Sequence, residues 1–181
     1  MINKLKRRIQ GFTLIETLVA VLLLTTAIAG PLTIASKSLI AAVVAKDQVT
    51  AFFLAQDAVE FIRFARDTNR LQNSDWLEGA GVDLINCKGA NCYVDTTLAN
   101  APTACGATCP VLKYHNTDKK FTYSNPSGTT IVNTLFRRTI QLTVGSNPGE
   151  ALLVVRVEWS DTAGLAQPRS VEVRESIFDW Q

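Results

Sequence analysis

Two groups of residues in this chain have types and spacings that can do chemistry. One is Gly11-Phe12 with Glu16 four residues further on, and the other is Cys87, Cys92, Cys105 and Cys109, spaced C-x4-C-x12-C-x3-C. Gly11 presents a peptidase with a backbone that no side chain obstructs. If the chain is cut after Gly11, the new amino terminus is Phe12, and Glu16 lies on the same helical face four residues on. A free ammonium and a carboxylate then neutralise each other in an apolar setting, within one chain or between neighbours, where either charge alone is costly.

The cysteines lie in a segment that the topology below places outside the cytoplasm, where disulfides are the default. Four cysteines allow three pairings and the sequence does not choose among them; Cys87 with Cys92 and Cys105 with Cys109 close short local loops. A four-thiolate zinc site is the sharper alternative, but the intervals are not the usual C-x2-C pairs. In either case the cysteines staple a stretch too poor in apolar residues to fold by burial.

Other chemistry is sparse. The single histidine, His115, sits in a polar Lys113-Tyr114-His115-Asn116-Thr117 context and reads as a solvated loop residue rather than a catalytic one. The sequence has no Gly-rich phosphate loop, no His-rich metal spacing and no serine elbow, so neither a catalytic centre nor a cofactor is expected. Lys119-Lys120 and Arg137-Arg138 are basic pairs that surface solvation explains, and contact with nucleic acid is not expected from them.

The elements that position Gly11 and Glu16 come next. Lys4, Lys6, Arg7 and Arg8 precede an apolar run, and the twenty residues from Thr17 to Ser36 carry no charge. At about 1.5 Å per residue such a helix crosses a hydrocarbon core of about 30 Å. The basic residues predict that residues 1–11 stay in the cytoplasm and that the chain beyond residue 40 faces outward. The net charge of +2 carries no message about nucleic acid: 4 of the 18 basic residues lie in the leader, which leaves 14 against 16 acidic ones. An uncleaved anchor would hold Glu16 in lipid at a cost of roughly 2.5–3.5 kcal/mol near the helix centre and less near its end. A secretory signal cut before Gly30, after Ala27-Ile28-Ala29, satisfies the small-x-small rule but discards the segment and leaves Glu16 unexplained. Only cleavage after Gly11 gives the carboxylate a partner.

The stretch Gly11-Phe12-Thr13-Leu14-Ile15-Glu16, with its basic leader before and its apolar helix after, resembles the class III signal of type IV pilins and type II secretion pseudopilins. The resemblance implies cleavage between Gly11 and Phe12 by a membrane aspartyl prepilin peptidase, then N-methylation of Phe12. It further implies that Glu16 faces the amino terminus of a neighbouring pilin subunit in a filament. The partners implied are that peptidase, other pilin subunits, a pilus assembly platform with its ATPase, and membrane lipid before assembly. The implied route runs from the inner membrane to a pilus at the cell surface.

Beyond residue 36 the helical pattern continues to about Asn69, about 90 Å in all. Val49, Phe52, Ala55, Val59 and Ile62 form one apolar stripe expected to pack on a globular domain. Asp57, Glu60, Arg63, Asp67 and Arg70 mark its polar side. Gly30-Pro31 is the weak point, where a kink is expected, or melting once lipid is exchanged for filament packing. Residues 71–133 are rich in Asn, Thr, Gly and Pro and read as a loop-rich region, with one short strand near Phe121–Ser124. Alternation then takes over at Ile140, Leu142 and Val144, at Leu153, Val155, Val157 and Trp159, and at Val171 and Val173. Ser146-Asn147-Pro148-Gly149 and Ser160-Asp161-Thr162-Ala163-Gly164 supply the turns.

The expected class is α+β: a long amino-terminal helix packed on a carboxy-terminal antiparallel meander, with a cysteine-containing loop region between. The expected segments are a cleaved leader (1–11), a membrane and filament-core helix (12–36), its amphipathic continuation (37–70), the loop-rich region (71–133) and the sheet (134–181). The Ala55–Glu60 stretch and the Trp159 strand resemble minor pilins that prime or decorate filaments. A pseudopilin of a type II secretion system is the near alternative. An anchored binding or enzymatic domain is the remote one, since no constellation of residues supplies it with a site.

Overall fold

A computed structural model describes residues 11–98, 100–125, 130–160 and 168–179. The basic leader residues Lys4, Lys6, Arg7 and Arg8 lie outside the described residues, as does the second expected turn beyond Ser160. The chain divides into two units, Met1–Val43 and Val44–Gln181, and one helix, α1 (Leu14–Leu71), contributes to both.

In the first unit every described residue is exposed, including Leu14, Leu18, Leu22, Leu24, Ile28 and Leu32. The helix is long and apolar enough to cross a membrane, and none of its apolar window is buried within the protein. α1 runs unbroken through Gly30 and Pro31. Seven hydroxyls along α1 turn inward on their own backbone: Thr17, Thr25, Thr26, Thr33, Ser36, Ser38 and Thr50 each donate to a carbonyl three or four residues earlier. That habit suits a helix in an apolar medium, because it gives each of these hydroxyls a partner.

In the second unit α1 is half-buried. Its core-facing stripe is Ala51, Leu54, Ala55, Ala58, Val59, Phe61, Ile62 and Ala65. The alanines carry little bulk, so the backbone can lie close to the sheet. Of the stripe read from the sequence, Ala55, Val59 and Ile62 are buried, whereas Val49 and Phe52 are 54% and 44% exposed. Period alone admits a second, adjacent apolar row, and the buried row also includes Ala51, Leu54, Ala58, Phe61 and Ala65, whose alanines a hydrophobicity count underweights.

The helix ends at Asn73, which takes a left-handed φ of 54°. Asn73 N–H donates to the Arg70 carbonyl and Ser74 N–H to the Asn69 carbonyl, the paired bonds of a Schellman motif. Asn69 closes the following loop from inside the core. Its amide donates to the Val82 and Trp76 carbonyls, its carbonyl oxygen accepts from Val82 N–H, and the residue is fully buried.

Among the described residues seven strands form one antiparallel sheet: β1 (Cys92–Tyr93), β2 (Thr103–Ala104), β3 (Val111–His115), β4 (Lys120–Thr122), β5 (Ile131–Val144), β6 (Glu150–Trp159) and β7 (Arg169–Phe178). β5 is central. Its first half pairs with β3, from Ile131 opposite His115 to Arg137 opposite Val111. Its second half pairs with β6, from Phe136 opposite Trp159 to Val144 opposite Ala151, and Ile140 also pairs with Cys92. β6 and β7 complete the meander in continuous register. Ile140, Leu142, Leu153, Val155, Val157 and Trp159 all point into the core, as their alternation requires. The Ser146–Gly149 turn is closed by Glu150 N–H on the Asn147 carbonyl.

The region before β5 is more ordered than its composition announces. β1, β2 and β3 had no sequence signal, and β4 matches the strand expected near Phe121. Disulfides join Cys87 to Cys92 and Cys105 to Cys109. They brace the β1–β2 ribbon, where Cys92 lies opposite Ala104 and Cys105 N–H reaches the Asn91 carbonyl. With both pairs closed no thiolate is left for zinc.

Asn69 sets a testable coupling. A Cβ on Gly79 would fall 2.4 Å from Asn69 Cγ, which the three bonds of Asn69 hold in place. Asn69→Ala is expected to cost about 2–3 kcal/mol by leaving buried backbone groups unpaired. Gly79→Ala, added to that variant, is expected to cost less than it does alone; additive losses in denaturant titrations of the full chain in detergent would contradict this coupling.

Candidate processing and assembly segment

Gly11, Phe12 and Thr13 precede α1 in a non-helical stretch, and Phe12 is 80% exposed. The first intrahelical bond runs from Thr17 N–H to the Thr13 carbonyl. Thr13 Oγ1 accepts the Glu16 backbone N–H at 3.3 Å. Thr13 is therefore the N-cap of α1 and Glu16 its third helical residue, the spacing of a capping box. Glu16 is also the acidic residue of the first turn, where the helix dipole favours a carboxylate.

Nothing lies within 4 Å of a Cβ built on Gly11. Among the described residues, packing therefore does not require glycine at this position. Gly30 is equally uncrowded.

Residues 6–30 match the family model described as the prokaryotic N-terminal methylation motif. The segment is a type IV prepilin signal. Comparison with curated proteins and with solved structures gives no match. The matched stretch contains Gly11, Phe12 and Glu16 and the first part of the apolar helix, and leaves Val44–Gln181 to be read from its own chemistry.

In that second unit two residues differ from their sequence reading. His115 is not a solvated loop residue: it ends β3, is 5% exposed, and its Nδ1 accepts the Asp118 backbone N–H at 3.1 Å. Arg138 is not a surface cation either. It is 1% exposed, and its guanidinium donates to the Leu54 carbonyl, the Val94 carbonyl and the Asp57 carboxylate at 2.8–2.9 Å. Its Nε is buried without a partner. Lys119 and Lys120 are exposed, as expected.

Asp95, which no motif marks, is the most perturbed group. One of its oxygens accepts from the Thr97 hydroxyl and N–H; the other accepts from the hydroxyls of Thr122 and Ser124 and the N–H groups of Tyr123 and Ser124. Burial on its own pushes the carboxyl up, but these hydrogen bonds outweigh it, and the pKa lies well below the usual carboxylate range. Asp95 thus clasps the segment after β1 to the end of β4. Among the described residues no cluster of His, Cys, Asp and Glu could hold a metal.

A depressed folded-state pKa means that the stabilisation by Asp95 is complete above its unfolded pKa of about 4 and is lost as pH falls through the folded value. Asp95→Asn is expected to cost about 2 kcal/mol at neutral pH. The difference from wild type should narrow steadily below about pH 4. Melting curves taken from pH 7 downward check this, and a constant difference across that range would rule out the carboxylate clasp.

Proposed function

We propose that this chain is a structural subunit of a type IV pilus-like filament, of the minor pilin kind. Its precursor is held in the cytoplasmic membrane by α1 with the Val44–Gln181 unit outside. It is cut after Gly11 by a prepilin peptidase, methylated at Phe12, and moved into the filament by an assembly platform and its ATPase. The observation that carries this reading is the methylation motif over residues 6–30, which supports a type IV pilin-like or pseudopilin protein. Two features of the coordinates fit it: Gly11 has no steric reason within the fold, and the apolar helix of the first unit has no cover of its own.

Assembly exchanges lipid for neighbouring helices, so the charge pair between Phe12 and Glu16 of adjacent subunits supplies registry more than net affinity. The second unit contributes its own contact face. Val49, Phe52, Phe53 and Phe64 are between 44% and 63% exposed on α1, an apolar patch that water disfavours and a neighbouring subunit would cover. The melting or bending anticipated at Gly30-Pro31 belongs to this same exchange. A pseudopilin of a secretion system shares the front end, and abundance in purified filaments separates the two.

The primary test is the intact mass and amino-terminal sequence of the protein from its native membranes. The expected start is N-methylphenylalanine 12; a start at Met1 or Gly30 would remove the filament reading. Glu16→Ala is expected to insert and be cut normally but to enter filaments poorly. Phe53→Ser is expected to reduce incorporation while changing the stability of the second unit by no more than about 0.5 kcal/mol. Wild-type incorporation of both variants would sink the assembly roles given to them.

A further inference from the structure

We infer that the Thr13 hydroxyl fixes where α1 begins and so keeps the Gly11–Phe12 peptide outside the helix, which makes Thr13 a positioning residue for cleavage. The inference rests on the processing reading above and adds to it a residue that acts through the backbone rather than through the scissile bond.

The distinguishing observation is the direction of one hydrogen bond. Thr17, Thr25, Thr26, Thr33, Ser36, Ser38 and Thr50 donate their hydroxyls to carbonyls of the preceding turn. Thr13 Oγ1 accepts, from Glu16 N–H. A hydroxyl that accepts from the third helical residue competes with continuation of the helix upstream, because it occupies a donor that the turn before would otherwise use. The helix accordingly starts at Leu14, and the scissile peptide lies one residue before the cap. A peptidase must hold its substrate extended and take hold of the N–H and C=O groups flanking the bond. Groups engaged in a helical turn are not free for that.

The same cap also orders what cleavage leaves behind. With Thr13 fixed, the Phe12 amine is set at one end of a defined turn and Glu16 on its third residue, so the charged pair that follows from processing has a preset spacing.

The test uses the full-length chain in proteoliposomes with a prepilin peptidase, with cleavage followed over time against wild type in the same vesicles. Thr13→Val keeps the shape and removes the cap; Thr13→Ser and Thr13→Asn keep a capping oxygen on different frames. Cleavage of Thr13→Val is expected to slow about fivefold, with faster hydrogen exchange at the Glu16 amide, while Ser and Asn stay within about twofold of wild type. Wild-type cleavage of Thr13→Val would overturn the inference and leave the processing reading standing. Rescue by Ser but not by Asn would also overturn it, because the hydroxyl would then be read directly by the peptidase. Failure of wild type to be cut would instead remove the processing reading itself.

Discussion

A full positive charge inside the core of the Val44–Gln181 unit is the constraint around which that unit is arranged. Arg138 sits on the inward face of β5, in a row otherwise filled by Phe136, Ile140 and Leu142. Leaving such a group unpaired would cost several kcal/mol, so two separate pieces of chain converge on it with three acceptors. α1 supplies the Leu54 carbonyl and the Asp57 carboxylate, and the segment after β1 supplies the Val94 carbonyl. Asp57 is held in turn by the Thr96 hydroxyl. The guanidinium thus fixes the helix, the central strand and the loop-rich segment in one geometry that apolar packing would specify less sharply. Asp95, beside Val94, then anchors the same segment to the end of β4.

The edges of this arrangement use charge in a different way. β7 is the last strand of the meander, and its Glu175, on the inward-facing side, is taken up by Arg63 of α1 at 2.6 Å. Asp179, just beyond the strand, is paired with Arg70. Exposed ion pairs of this kind contribute little to stability. A charge turned inward on an edge strand nevertheless discourages pairing with a foreign strand. The β7 edge is therefore a poor surface for pairing with a foreign strand.

How much of this could be read from the sequence divides along physical lines. The meander was legible because each of β5, β6 and β7 has one buried face, and burial imposes a period of two that hydrophobicity records. The prepilin segment was legible because its chemistry is local: basic leader, glycine, carboxylate and apolar run all lie within one stretch. β1, β2 and β3 were not legible, since strands of two to five residues are too short to show a period and owe their form to pairing, β1 and β3 with β5 and β2 with β1, and to two disulfides. Arg138 could not be told from Arg137 by type; only its phase, two residues from Ile140 and two from Phe136 in the buried row, marked it. His115 misled in the same way, because a polar neighbourhood along the chain says nothing about what packs across it. On α1, hydrophobicity places Val49 and Phe52 in the same stripe as Ala55, Val59 and Ile62, while Ala51, Ala58 and Ala65, equally buried, give too weak a signal to stand out.

Residues that the fold does not explain carry information of another kind. Asn69, Gly79 and Asn73 are each accounted for by a contact or a backbone angle inside the second unit, so nothing beyond folding need be asked of them. Gly11 has no such account, since a larger side chain would meet nothing. The exposed leucines, valines and isoleucines of the first unit are equally unexplained by any internal contact, and in water they would be a liability. The apolar residues fit surroundings other than water, since the helix is long and apolar enough to cross a membrane, whereas open space alone assigns Gly11 no role, being shared by Gly30 and Gly106. Glu16 stands between the two kinds. As the third residue of a capped helix it has a local reason to be acidic, but that reason would be served as well in a soluble helix, and it does not require a carboxylate at the mouth of twenty uncharged residues. The local cap explains why the carboxylate is tolerated there, and the charge pair proposed for the processed chain would give it a partner in the apolar segment.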